Sequence, residues 1–399
     1  MLPAVMLSMS GVRIHATYLT QGSEQDARDV AEHICVEQTI EFPLDLVADD
    51  DIRRHLIGQI TGMTRQSENS WYLNISYAAE VSGFQLPQLL NMLFGNISLR
   101  PGVRLTDLAL PDELLTHFPG PRYGVAGLRD LLGCGERPLL ATALKPMGVP
   151  LEYFAEMAAD YAESGIDLIK DDHGLSSQPF ADFRRRVELC SAAVTEANAR
   201  SGNRALYLPS LNVPADQLFE AARFASAAGA GGLMVMPGLH GFDAMRVLAQ
   251  DNSLSLPIMA HPSFLGSFVA SPGSGIDHGL LFGTFMRLAG ADVSVFPSYG
   301  GRFTFSQDEC RRISRQLMSP LGTLAPAFAA PAGGLTLDRI AEVVNFFGHN
   351  FALLVGGELQ RRDRRAQARA MRAAVESAFA QPADRSWLGS SSPTPLQNP

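Results

Sequence analysis

GIDLIKDDHG, residues 165–174, is a short apolar run that ends in a lysine, two aspartates and a histidine. An apolar stretch of this length bounded by glycine reads as a strand buried on both faces, as in parallel sheets. Outward from it the pattern recurs in PLLATALKP (138–146), ALYLPSLN (205–212), GGLMVMPG (231–238), LPIMAHPS (256–263), DVSVFPSYGG (292–301), LAPAFAAPAGG (324–334) and FALLVGGE (351–358). Intervening segments such as LEYFAEMAADYAES (151–164) and AVTEANARS (193–201) are Ala-rich with helical spacing. Eight strand–helix units over about 250 residues predict an α/β fold, a closed (β/α)8 TIM barrel.

The first 118 residues read differently. Strand-like VRIHATYL (12–19) and SWYLNISYAA (70–79) alternate with helical DARDVAEHICVEQ (26–38) and LPQLLNML (86–93), which predicts a small α+β, ferredoxin-like domain. THFPGPRYG (116–124), with two prolines and two glycines, is the best linker candidate. The expected division is an N-terminal domain over 1–118, a barrel over 119–380, and a Ser- and Pro-rich tail over 381–399 that is expected to be disordered.

A chain of 399 residues with 46% hydrophobic content supports two cores. Its net charge of −9, with no basic stripe, argues against nucleic acid or an anionic membrane as partner and leaves a small molecule. Cys35, Cys134, Cys190 and Cys310 have no metal-ligand or disulfide-framework spacing. No basic leader and no span of about 20 apolar residues is visible, so a soluble cytoplasmic protein is expected.

Among 32 Lys+Arg residues only Lys145 and Lys170 are lysines, and each ends an apolar run. Arginine supplies solubility, whereas an amine with a shiftable pKa can act as base, Schiff-base former or carbamate carrier. Chemistry on a barrel sits at the C-terminal strand ends, where this chain places Lys145, Lys170, Asp172, His173, Asn212, His261 and Ser298. On a strand Lys170 and Asp172 share a face, Asp171 takes the other, and His173 opens the turn. Lys170, once carbamylated, could join Asp172 and His173 around a cation; the alternative is a buried Lys–Asp ion pair. Lys145 could act as acid or base, or simply hold an anion. The pairs Gly333–Gly334 and Gly356–Gly357 end the seventh and eighth runs, where barrels commonly bind phosphate. His261 reads as a proton shuttle, a substrate ligand or a structural histidine.

These residues carry a family resemblance. GIDLIKDDHGLSSQPF (165–180) resembles the RuBisCO large-subunit signature that holds a carbamylated lysine and its acidic metal partners. CVEQTIEF (35–42), LFGNIS (93–98), FPGPRYGVAGLR (118–129), ATALKP (141–146), LPSLNV (208–213), IMAHPSF (258–264), DHGLLFGTFMRLAGAD (277–292), PAGG (331–334) and LLVGGE (353–358) agree in order. The resemblance implies that Lys170 is the carbamylated lysine, with Asp172 as metal carboxylate, and that Lys145 is the acid/base lysine. Under it His261 contacts substrate, the four glycines line a phosphate site, and Ser298 and Arg302 stand at the substrate. It also implies Mg2+ or Mn2+ as cofactor, and at least a head-to-tail homodimer or an oligomer of dimers, because Glu37 and Asn96 would reach a neighbour's site.

The departures matter as much. His173 stands where the second metal carboxylate belongs, Met147 replaces the second lysine of a KPK motif, and Pro262 replaces an arginine. Ala332 replaces a serine, and SYGGRFTF (298–305) carries Arg302 where a catalytic lysine is expected. The pattern is similar to the non-carboxylating, form IV RuBisCO-like proteins. It implies enolisation-based isomerisation, tautomerisation or decarboxylation of a phosphorylated keto sugar or sugar acid. The alternatives are a non-catalytic phosphate-ligand binding or regulatory protein, and a true carboxylase.

Overall fold

A computed structural model describes residues 7–47, 49–301, 303, 305–361 and 363–380. Arg302 and the tail 381–399 lie outside the described residues. The eight apolar runs form eight parallel strands: β5 (Leu139–Leu144), β6 (Leu168–Asp171), β7 (Leu206–Leu208), β8 (Leu233–Val235), β9 (Ile258–Ala260), β11 (Val293–Pro297), β12 (Phe328–Ala332) and β13 (Ala352–Val355). They hydrogen-bond in the order β7-β6-β5-β13-β12-β11-β9-β8, and a bridge between Ser210 and Met234 closes the ring. Helices over Leu151–Glu163 and Phe183–Ser201 follow β5 and β6, as their spacing predicts.

Side-chain alternation fixes what faces the barrel axis. Leu139, Ala141, Leu168, Leu208, Met259, Val293, Val295, Phe328, Ala330, Ala352 and Leu354 form one buried cluster inside the ring. Leu140, Ile169, Tyr207, Phe296 and Leu353 belong to a second cluster, packed under the surrounding helices. Val125, Leu128 and Leu132, from the helix Gly124–Leu132, join the interior cluster. That helix plugs the N-terminal end of the barrel and leaves the other end open for chemistry.

The second sheet is β1 (Arg13–Gln21), β2 (Gln59–Ser67), β3 (Ser70–Ala78) and β4 (Val103–Ala109) in the order β4-β1-β3-β2, antiparallel throughout. Its fifth member, β10 (Gly275–Ile276), lies far away in sequence and pairs in parallel with β4. The helix Glu24–Glu37 begins at a capping box between Ser23 and Asp26, and buries Ala27, Val30, Ala31 and Ile34. No described helix is long and apolar enough to cross a membrane.

The segment with linker composition is anything but loose. A Cβ at Gly120 would lie 2.8 Å from Leu324, and one at Gly124 2.7 Å from Ala325; both glycines have positive φ. Asp292, fully buried at the start of β11, accepts from the backbone N–H groups of Tyr123 and Gly124 on Oδ1 and of Ile258 on Oδ2. One carboxylate thereby clamps the 116–124 segment and two strands to the closed end of the barrel. Asp292→Asn turns one acceptor into a donor facing an amide, and is expected to cost about 2 kcal/mol. Urea unfolding checks this, with a lower midpoint at unchanged slope as the expected result.

Candidate active site at the barrel mouth

Lys170 shares the inward parity of Leu168, Lys145 that of Leu139 and Ala141, and His261 that of Met259. Three reactive side chains from β5, β6 and β9 therefore face the open end. Asp172 is the centre of the polar cluster. Its Oδ1 lies 3.2 Å from Lys145 Nζ and 3.0 Å from His173 Nδ1. The His173 ring in turn stacks on His261, at 4.8 Å between centroids and 12° between planes. The lysine paired with the aspartate is thus Lys145, where sequence spacing offered Lys170 as its partner.

Lys170 is only 2% exposed, and its Nζ donates to the backbone oxygen of Asp171 at 3.0 Å. It forms no ion pair among the described residues. Burial pushes its ammonium down to about 8, against the attraction of Asp172 and with help from the charge of Lys145. Burial works to raise Asp172, but the His173 hydrogen bond and the charges of Lys145 and Lys170 hold its carboxyl well below the usual range. Burial and the Lys170 charge press His261 well below the ordinary histidine value.

Asp171 is what holds Lys170 in place. Facing outward and fully buried, its carboxylate accepts from Tyr207 Oη at 2.8 Å, Arg186 Nε at 3.1 Å and the Ser210 amide at 3.1 Å. Outward parity at Asp171 was visible in the sequence; Tyr207 was not singled out, and Arg186, from the following helix, had no local signal. Two further contacts also escape sequence reasoning. Gln360 Nε2 donates to the Lys145 carbonyl at 2.8 Å, and Ser263 hydrogen-bonds to His261.

The glycine pairs follow adjacent strands β12 and β13. Gly333 has φ +90°, and open space borders Gly333, Gly356 and Gly357 where side chains would stand. Gly334 (φ +68°) approaches Gly301 so closely that a Cβ would lie 2.8 Å from its Cα. Ser298 is fully buried with an unpartnered hydroxyl, and its amide donates to Ala332 O at 2.9 Å. Asn96 Nδ2 donates to Glu37 Oε1 at 3.0 Å on the exposed surface, and none of the described hydrogen bonds or ion pairs joins either residue to the mouth.

Among the described residues no group of three His, Cys, Asp or Glu side chains is placed to hold a metal ion. Asp172 and His173 supply two donors, and an ammonium supplies none. The cluster suits a hard cation only when Lys170 carries carboxylate-like oxygens. A cavity of about 880 Å3 lies elsewhere, between the antiparallel sheet and the 269–316 segment, lined in part by His278 and by Arg104 and Glu309, each of which pairs with it.

Residues 124–389 match the family model described as ribulose bisphosphate carboxylase large chain, catalytic domain. The chain belongs to this family. It is 36% identical to the 5-methylthioribulose-1-phosphate isomerase of Rhodospirillum rubrum over 88% of its own length and 93% of that protein's. It is 34% identical to the 2,3-diketo-5-methylthiopentyl-1-phosphate enolase of Geobacillus thermodenitrificans over 92% of each chain. The crystal structure of a RuBisCO-like protein from Rhodopseudomonas palustris superposes with a TM-score of 0.84 and 34% identity, covering 93% of this chain and 99% of the other. Fold, family and relatives together mark a RuBisCO-like enzyme.

The environment of Lys170 sets a pH dependence. Its folded pKa of about 8 lies below the unfolded 10.5, so between these values the unfolded chain binds more protons and stability rises with pH. In CO2-free, metal-free buffer the wild type should gain about 3 kcal/mol on Lys170→Met from pH 8 to 10.5. Parallel urea titrations of the two proteins measure the change in their difference.

Proposed function

We propose that this protein catalyses enolisation of a phosphorylated keto compound, in an isomerase or tautomerase reaction without CO2 fixation. The observation that carries the reading is the pairing of two unlike lysines at one barrel mouth. Lys145 is half-exposed and salt-bridged to Asp172, while Lys170 is buried and has no ion pair among the described residues. Lys145 Nζ is the group that transfers the proton next to the substrate carbonyl, and Asp172 and the Gln360 contact orient it. Lys170, as a carbamate, would complete a donor set with Asp172 and His173 for Mg2+ or Mn2+; His173 brings an imidazole where a carboxylate would bring charge, which favours Mn2+. When bound, the ion supplies polarisation of the carbonyl and stabilises negative charge as the proton leaves.

The glycines after β12 and β13 offer backbone to one phosphate. Pro262 and Ala332 stand where the family resemblance places the arginine and the serine that hold the second phosphate of a bisphosphate. That favours a monophosphate with an apolar far end. The names of the two relatives, each a methylthio pentose-type monophosphate, support this choice. No lysine occurs in residues 298–305 to serve carboxylation.

Assembly follows from exposed apolar surface. Met147, Phe180, Leu239, Phe264 and Leu337 stand on five connections around the mouth, and Phe264 is 77% exposed. On the N-terminal part, Phe42, Leu44, Leu46 and the 83% exposed Leu99 flank Glu37 and Asn96. Two such patches on one chain favour a homodimer in which each N-terminal patch covers the partner's mouth, bringing Glu37 and Asn96 to it. Leu99→Glu is expected to halve the mass in solution, read by light scattering.

Proton exchange tests the chemistry. With 5-methylthioribulose 1-phosphate and 2,3-diketo-5-methylthiopentyl 1-phosphate in D2O, bicarbonate and Mg2+ or Mn2+, mass spectrometry should detect deuterium beside the carbonyl. Lys145→Met should slow incorporation by about 10²–10⁴-fold. Absence of exchange in the wild type with both compounds would sink the proposal.

A further inference from the structure

His261 ends β9 and turns its Nδ1 edge back toward its own chain. Two groups of Ser263 meet that nitrogen: the backbone N–H at 3.3 Å and Oγ at 3.0 Å. An amide can only donate, so Nδ1 must present its lone pair. A serine hydroxyl rotates to suit and adds a second donor to the same lone pair. The turn that aims both groups is firmly built. Pro262 fixes its own φ, Leu265 N–H donates to Pro262 O at 3.1 Å, and Phe264 takes the left-handed region at φ +69°. On the opposite edge of the ring, Nε2 makes no hydrogen bond among the described residues, and the ring face is fixed by stacking on His173.

We propose that Ser263 is a positioning residue that locks His261 in the Nε2–H tautomer, so that His261 donates a hydrogen bond from Nε2 to a substrate oxygen and does not act as the base. A ring whose Nδ1 lone pair is occupied and whose Nε2 bears hydrogen has no free site for a substrate proton. Proton abstraction is thereby left to a lysine. The catalytic meaning rests on the enolisation reading, since a donor at this place stabilises the oxygen on which charge develops. The tautomer itself does not rest on it.

The test is the side-chain nitrogen spectrum of the full-length protein labelled with 15N-histidine, with His261→Gln to identify the resonances. The expected wild-type spectrum shows an unprotonated Nδ1 and a protonated Nε2. Ser263→Ala removes one of two donors and should raise the minor tautomer about five-fold, and Ser263→Thr should restore the wild-type spectrum. In turnover, Ser263→Ala should lower kcat by up to about two-fold, in step with the fall in the Nε2–H population, with KM nearly unchanged, and Ser263→Thr should recover it. A protonated Nδ1 in the wild type, or a spectrum and kcat unmoved in Ser263→Ala, overturns the proposal. Wild-type protein that shows the Nε2–H tautomer but exchanges no substrate proton overturns the enolisation reading while the tautomer assignment stands.

Discussion

The buried carboxylate of Asp171 is the interaction on which the mouth of this barrel depends. Tyr207, Arg186 and the Ser210 amide all bond to it outside the strand ring, where none of them is exposed to water. A charge pair in such a place is only tolerable when its lone pairs are occupied, and here three donors occupy them. The consequence is directional. With Asp171 anchored outward, strand alternation sends Lys170 inward and holds it against the axis.

That geometry makes the two lysines chemically different. Lys145, at the rim, is neutralised by Asp172, while Lys170 bonds to a backbone carbonyl in a site from which water is excluded. Desolvation then favours the free amine, the form that can add to CO2, while the charge on Asp172 is preserved by His173 and Lys145. An ordinary surface lysine at either position would lack this division.

The closed end of the barrel shows the same economy. Asp292 joins three amides from two distant segments, and the Gly124–Leu132 helix fills the interior below Val293 and Phe328. Chemistry is left to the loops at the mouth. The turn after β9 illustrates how one such loop, with Pro262 and Ser263, controls a histidine that the strand merely delivers.

The order of eight apolar runs, their parity, and the concentration of lysine, aspartate and histidine at their ends were written in the sequence, because period-two alternation and strand length are local properties. So were the inward placement of Lys170 and the outward one of Asp171. What the chain order could not tell was which partners meet. Lys145 rather than Lys170 pairs with Asp172, Arg186 reaches Asp171 from a helix, β10 joins β4 from 171 residues away, and a segment with linker composition proves clamped by Asp292. Each of these contacts links residues far apart along the chain. Only the packing of strands, helices and the second sheet on one another brings them within hydrogen-bond reach, and only the burial that packing creates changes the proton affinity of Lys170.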